Sequence, residues 1–273
     1  MNQRTIVITG ASDGIGRAAA EALRVRTDTT LVLVGSNPDK IAEIGTRLEC
    51  EYHSCDFARL GDVRALAATL AANHPVIDVL ANNAGGVFAP RKVTGDGYEE
   101  TLQVNHLAPL LLTTELLPSL RAGEGTIIFT SSMAAFSGSI DLSDLGKEKG
   151  WSSFGAYGAG KLANIVTARA LQRRYGSEGI NTVSFHPGVV ATSFGAAAGM
   201  FVKLFYGSRL GKRLMRTPEQ GADTLVWLAT TKPGVDWQPG GYYVERQLKD
   251  PPKRALDDAF GDKFLEASDL LIR

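Results

Sequence analysis

The chain has 273 residues, 44% hydrophobic and 21% charged, the balance of a folded globular protein long enough for one large core. Its 29 basic and 29 acidic residues cancel, which argues against nucleic acid or an anionic membrane held by bulk charge. Two cysteines, Cys50 and Cys55, form neither a disulfide framework nor a zinc pattern, so free thiols in a reducing compartment and no metal site are expected.

The N-terminus runs from Met1 directly into a short strand, with no secretory apolar core. The longest apolar stretch, Leu107 to Leu117, contains Pro109 and Glu115 and falls short of the roughly 20 residues that span a bilayer. A cytoplasmic protein without a transmembrane segment is expected.

Apolar runs and helical patterns then alternate along the chain. Strands are expected at Thr5–Thr9, Leu31–Gly35, Glu51–Cys55, Val76–Ala81, Thr126–Ser131 and Ile180–His186, with a short last one at Tyr242–Val244. Helices are expected at Gly14–Arg26, Pro38–Glu49, Leu60–Asn73, Gly97–Arg121, Gly155–Tyr175 and Pro218–Ala229. Continuous apolar strands are buried on both faces, so the alternation predicts a doubly wound parallel α/β sheet of about seven strands, helices on both sides. No linker or repeat divides residues 1–273, which are read as one domain. Two segments break the alternation, Met133–Phe154 and Val189–Thr217, and long irregular segments are often binding loops.

The stretch Thr9-Gly10-Ala-Ser12-Asp13-Gly14-Ile15-Gly16-Arg17 joins the first strand to the first helix. Ligands of such sheets bind beyond the C-terminal strand ends, where the helix also presents unpaired N–H groups and its positive dipole end. Gly10 would allow the tight turn, Gly14 the approach of a pyrophosphate, and Gly16 close packing of helix on sheet. Without a ligand the same loop is an ordinary glycine-rich turn, and its spacing differs from G-x-G-x-x-G.

Tyr157 and Lys161 stand four apart, on one face of a helix. A free phenol has a pKa near 10 and is a poor base at neutral pH, but a nearby ammonium favours the phenolate. Ser131 and Ser132 end the fifth strand at the ligand-binding face, where a hydroxyl can bond a substrate oxygen. Asn105 sits in an apolar helical stretch and needs partners there, serving a water chain or the fold itself. Asn82-Asn83-Ala84-Gly85 follows the fourth strand, small enough to pack beside a flat ring.

In this order and at these strand ends, the pieces resemble the short-chain dehydrogenase/reductase family over nearly the whole chain. Thr9-Gly10-x-x-x-Gly14-x-Gly16, Asp56, Asn82–Gly85, Asn105, Ser132, Tyr157-x-x-x-Lys161 and Pro187-Gly188 carry the resemblance. Val104 to Thr113, Ala156 to Asn164, His186-Pro-Gly-Val-Val-x-Thr192 and the insertion with Ile140-Asp141 and Asp144-Leu145 are similar to the retinol-dehydrogenase-like branch. The resemblance implies a Rossmann-type fold and a nicotinamide-dependent oxidoreductase acting on alcohols, aldehydes or ketones. It makes Tyr157 the general acid/base, Ser132 the residue that orients the substrate oxygen, Lys161 the group that lowers the Tyr pKa and holds ribose, and Asn105 the support of a proton relay. Cofactor contacts are expected at Gly10, Ser12, Asp13, Gly14, Ile15, Gly16, Ser36, Asn37, Asp56, Phe57, Asn83, Ala84, Gly85, Tyr157, Lys161, Pro187, Gly188, Val190 and Thr192. Gly160 departs from the family, which usually has Ser before the Lys.

The end of the second strand reads the adenosine ribose. It carries Val34-Gly35-Ser36-Asn37, with no carboxylate to accept from a 2′-hydroxyl and none of the arginine common in this branch. Ser36, Asn37, Arg17 or Lys40 could hold a phosphate, so NADP(H) is favoured over NAD(H). Val189–Thr217 is the expected substrate-covering loop, with Phe194, Met200, Phe201, Val202, Leu204, Phe205 and Tyr206 beside Lys203, Arg209, Lys212, Arg213 and Arg216. It points to a bulky, largely apolar substrate, although the same composition suits core closure or a basic amphipathic surface segment.

His186 and His106 are read as structural, the latter in core or interface, and His53 and His74 as surface residues. Gly158, Ala159, Gly160 and Ala163 would allow close helix approach, and by analogy of fold the two long helices pair subunits into a homodimer or homotetramer. A methyltransferase shares the alternation but has no use for Ser132, Tyr157 and Lys161 together. A non-catalytic NADP-binding sensor or scaffold of the same fold is the remaining alternative.

Overall fold

In a computed structural model, which describes residues 3–190 and 216–273, eight strands form one sheet among the described residues. The strands are β1 (Arg4–Thr9), β2 (Thr29–Gly35), β3 (Glu51–Ser54), β4 (Val79–Asn82), β5 (Thr126–Thr130), β6 (Asn181–His186), β7 (Tyr242–Val244) and β8 (Gln247–Lys249). Their order is β3-β2-β1-β4-β5-β6-β7-β8, parallel throughout except for β8. The order reverses between β1 and β4, and a doubly wound sheet opens a crevice at that reversal.

The helices are α1 (Gly14–Arg24), α2 (Pro38–Leu48), α3 (Leu60–Asn73), α4 (Glu100–Leu102), α5 (Ala108–Glu115), α6 (Leu117–Ala122), α7 (Ser153–Tyr175), α8 (Pro218–Thr230) and α9 (Asp258–Leu271). Alternate strand residues feed opposite layers. Ile6, Ile8, Leu31 and Leu33 pack against Ala19, Leu23, Ile41 and Leu225 on one face. Val7, Val32, Leu80 and Ile127 pack against Val63, Leu70, Leu111 and Leu171 on the other. Burial on both faces is why these strands read as unbroken apolar runs.

Three elements differ from expectation. The eighth strand closes a hairpin whose turn residues, Glu245 and Arg246, both have positive φ, at 54° and 59°. Such turns usually carry Asn or Gly, so the sequence there has no hairpin signature. Helix α9 was not anticipated, although Asp257 caps it by accepting from Phe260 N, and Phe264, Leu265 and Ser268 face the core. The single long helix expected over Gly97–Arg121 is instead four segments. It starts at Glu100, where the Glu99 carboxylate caps it, and widens into a π turn over Gln103–Leu107. It stops at Leu116, with Pro118 opening the next short helix.

Candidate active site

The crevice is built at the C-terminal ends of β1, β4 and β5 by one hydroxyl and one amide. Thr9, fully buried, donates its Oγ1 to the Ala81 carbonyl at 3.2 Å and accepts from Asn83 N and Ala84 N, each at 3.0 Å. The Asn83 side chain donates to the Thr9 carbonyl at 3.0 Å and accepts from the Thr130 hydroxyl at 3.2 Å. Three strand ends are thereby locked in register.

Gly10 has φ +68°, the left-handed region, and a β-carbon there would meet Ala84 Cα at 2.9 Å. At Gly16 a β-carbon would stand 2.2 Å from the Gly10 carbonyl oxygen, so helix α1 approaches the turn as closely as only glycine permits. Asp13 caps α1, accepting from Gly14 N at 2.7 Å, and Lys40 Nζ lies 3.2 Å from its other oxygen. Arg17 is paired with Glu21 at 3.1 Å. Ser12 lies against Gly35, and exposed Ser36 precedes Asn37, which caps α2 by accepting from Lys40 N at 2.9 Å. Beyond β3, the Asp56 carboxylate accepts from Ala58 N, and Phe57 is buried. Ile15 and Val190 meet over Gly221 of α8. These residues fit an extended dinucleotide: a glycine turn at a helix N-terminus for phosphate, and polar groups at the end of β2 for ribose.

Helix α7, capped by the Ser152 hydroxyl, carries Tyr157 and Lys161 one turn apart. Lys161 is 3% exposed. Its ammonium donates to the Thr130 carbonyl at 3.1 Å and lies 5.7 Å from the centroid of the Tyr157 ring. Burial pulls its pKa down to about 8. The two serines at the end of β5 separate by environment. Ser131 is buried and donates to the Lys161 carbonyl at 2.7 Å, so its hydroxyl is taken. Ser132 is half-buried and caps the turn Met133–Ser137 by accepting from Ala134 N at 3.2 Å, which leaves its own hydrogen to donate.

Asn105, fully buried in the π turn, grips Gly86 from both sides. It accepts from Gly86 N at 2.9 Å and donates to the Gly86 carbonyl at 2.8 Å and the Thr101 carbonyl at 3.1 Å. A β-carbon at Gly85 would lie 2.3 Å from Asn105 Oδ1 and 3.0 Å from Lys161 Nζ. Asn105 and Lys161 therefore converge on the Asn83–Gly86 turn. The glycine at position 160 has a local cause, since a β-carbon there would press on Asn105 Cβ at 3.1 Å. Gly158 likewise lies against the Ala134 carbonyl, so these small residues serve close approach inside the chain.

Pro187, Gly188 and Val190 follow β6. Arg216, absent from the expected cofactor contacts, packs over Gly188, donates its backbone N–H to the Val189 carbonyl at 2.8 Å, and pairs with Glu245. His186 beside them is buried, which with the Arg216 charge lowers its pKa to about 4. Thr192 and the apolar cluster from Phe194 to Tyr206 lie outside the described residues. His106 is core, as expected; His53 and His74 are half-buried rather than free on the surface, both bonded to Glu51 at 2.7 and 2.8 Å. Among the described residues no helix is long and apolar enough to cross a membrane.

The short chain dehydrogenase family pattern matches residues 4–200. A Streptomyces sp. (strain C5) protein with the provisional name daunorubicin C-13 ketoreductase is 42% identical over 272 residues, covering 97% of this chain and 91% of its own. Human retinol dehydrogenase 14 is 31% identical, covering 100% of this chain and 87% of its own. The crystal structure of an uncharacterized protein of Mycobacterium paratuberculosis superposes with TM-score 0.80 at 28% identity, covering 99% of this chain and 94% of that one. On the family pattern, these relatives and the sheet order, the chain belongs to the short-chain dehydrogenase/reductase family, in its retinol-dehydrogenase-like branch, and is an NAD(P)-dependent oxidoreductase of alcohol and carbonyl groups.

Proposed function

We propose that the chain, acting as one catalytic unit, interconverts an alcohol and a carbonyl on a bulky, mostly apolar substrate with Tyr157 as general acid/base. The observation that carries this reading is the burial of the Lys161 ammonium beside the Tyr157 ring, with Asn105 converging on the same turn. A buried ammonium one turn away favours the phenolate over the neutral phenol, which suits a general acid/base. Bound NADP(H) supplies or accepts the hydride. In the reducing direction, the Tyr157 hydroxyl gives its proton to the carbonyl oxygen, and Ser132 donates a hydrogen bond that holds that oxygen in place. In the oxidising direction, the phenolate takes the alcohol proton. Asn105 fixes the Gly86 backbone and keeps the turn beside Lys161 in register.

NADP(H) is favoured because β2 is followed by Ser36 and Asn37, with Lys40 alongside and no carboxylate on the strand end itself. The Asp13 carboxylate nearby is paired with Lys40. A Beutenbergia cavernae relative named for NAD(P)-dependent gluconate 5-dehydrogenation was solved with NADP, at TM-score 0.65 and 25% identity. The apolar substrate is supported by a cleft of about 330 Å³ lined by Met133, Phe136, Tyr242 and Val244, with Lys249 and Asp250 also on its wall. Relatives are named for retinol, polyprenol and daunorubicin, all bulky and largely apolar. Screening ketones and aldehydes with NADPH and NADH tests the reading. Turnover of polycyclic or polyene carbonyls with NADPH is expected; turnover confined to small sugars or hydroxy acids, or a large preference for NADH, would contradict it.

A further inference from the structure

The π turn that carries Asn105 is an unusual piece of backbone, since such turns are rare and persist where surrounding contacts impose them. Ala108 N–H reaches back five residues to the Gln103 carbonyl. Three buried side chains anchor it in three directions. Gln103 donates to Asp96 at 2.7 Å and to the Phe57 carbonyl at 3.3 Å. Asn105 holds Gly86. His106, 1% exposed, points the other way, toward the C-terminal helix. Its Nε2 is 2.8 Å from Ser268 Oγ, and its ring stacks on Phe264 with centroids 4.8 Å apart and planes 27° apart. Ser268 and Phe264 are themselves buried on α9.

Helix α9 is docked by contacts that do not involve His106. Arg173 pairs with Asp258 at 2.7 Å and Asp262 at 2.6 Å, Arg174 with Asp269 at 2.7 Å, and Tyr98 donates its hydroxyl to the Leu271 carbonyl at 2.6 Å. The helix is thus a fixed wall, and the His106–Ser268 bond ties the π turn to it. Slippage of the turn toward regular helix would rotate Asn105 and His106 off their partners together, because they are adjacent residues.

We propose that His106 is a positioning residue for the reaction: clamped to α9 by Ser268 and Phe264, it holds the π turn in the one register that aims Asn105 at Gly86 beside Lys161. The fully buried imidazole is neutral, its pKa lowered to about 3 by burial, so the clamp persists across the working pH range. The inference rests on the reading that Asn105 and Lys161 serve the carbonyl–alcohol reaction.

The test is steady-state kinetics of NADPH-dependent carbonyl reduction by the full chain carrying Ser268→Ala, His106→Leu or His106→Gln, with Asp269→Ala as a control that removes one ion pair of α9 while Arg173, Tyr98 and the buried face still dock the helix. Ser268→Ala and His106→Leu are expected to lower kcat roughly tenfold with KM for NADPH unchanged, as misplacement of a supporting group does. His106→Gln, which keeps a nitrogen where Nε2 stood, restores most of the loss, and Asp269→Ala stays within about twofold of wild type. In an Asn105→Ala background, Ser268→Ala costs nothing further, because the two act through one path. The proposal is overturned if folded Ser268→Ala keeps wild-type kcat, if its loss is equal in the Asn105→Ala background, or if Asp269→Ala lowers kcat as much. Should Ser268→Ala fail to fold, equal kcat for His106→Gln and His106→Leu overturns it. Failure of the underlying reading is distinguishable: wild type itself would then show no carbonyl reduction, or Tyr157→Phe would retain it.

Discussion

The Lys161 ammonium lies 5.7 Å from the centre of the Tyr157 ring, on a side chain one helical turn away that is buried from water. It donates to the Thr130 carbonyl, and among the described residues no carboxylate pairs with it to compensate its burial. The fold carries this charge at a cost to itself, an arrangement common at reactive centres.

That cost has a pH signature. Burial lowers Lys161 from 10.5 to about 8, so the unfolded chain holds a proton between those values that the folded chain has released. Stability from this site is lowest below pH 8 and rises as pH climbs toward 10.5. The difference converts to roughly 3 kcal/mol. Lys161→Met should therefore unfold at a higher temperature than wild type at pH 7, with the gap closing by pH 10, while turnover is lost. Thermal denaturation of the two proteins without cofactor at both pH values checks this; a destabilised variant at pH 7 would refute it.

Thr9 is the knot of the crevice. Thr9→Val keeps shape and volume but strands the Ala84 N–H, which donates to Oγ1, and leaves the Asn83 N–H only the Ala81 carbonyl, 2.9 Å away. An orphaned buried donor costs about 1–3 kcal/mol, so a loss of about 2 kcal/mol or more is expected in urea denaturation, with a raised KM for NADPH. An unchanged denaturation midpoint would mean that Asn83 alone holds the strand ends.

Gly16→Ala places a methyl 2.2 Å from the Gly10 carbonyl oxygen, a contact with backbone that cannot swing aside. The turn must open. Destabilisation of about 1–3 kcal/mol is expected, together with loss of NADPH binding measured by fluorescence titration. By contrast Gly61, around which a β-carbon meets nothing, should accept alanine with no effect on binding.

Sequence pattern revealed the elements whose signal is local. Parallel strands such as Leu31–Gly35 show as apolar runs because both faces are buried, and the spacing of Tyr157 and Lys161 is one turn of any helix. Where neighbours decide the backbone, pattern failed. The π turn at Gln103–Leu107 depends on Asp96, Gly86 and Ser268, from 7 to 162 positions away. The Glu245–Arg246 turn lacks glycine and is held by Asp223, Thr224 and Arg216. Helix α9 had a readable signal, the Asp257 cap and apolar residues at 260, 264 and 265, whereas its seat against His106 did not. The different settings of Ser131 and Ser132, with Ser131 bonded to the Lys161 carbonyl, are visible only in three dimensions.

The central claim is that Tyr157 moves the proton and does not merely line the site. Tyr157→Phe keeps the ring and its packing and removes only the hydroxyl. The decisive measurement pairs NADPH affinity with single-turnover carbonyl reduction for wild type and this variant. The account predicts unchanged affinity and a rate lowered by roughly 10³-fold. A variant that binds NADPH and reduces the carbonyl at the wild-type rate would contradict it.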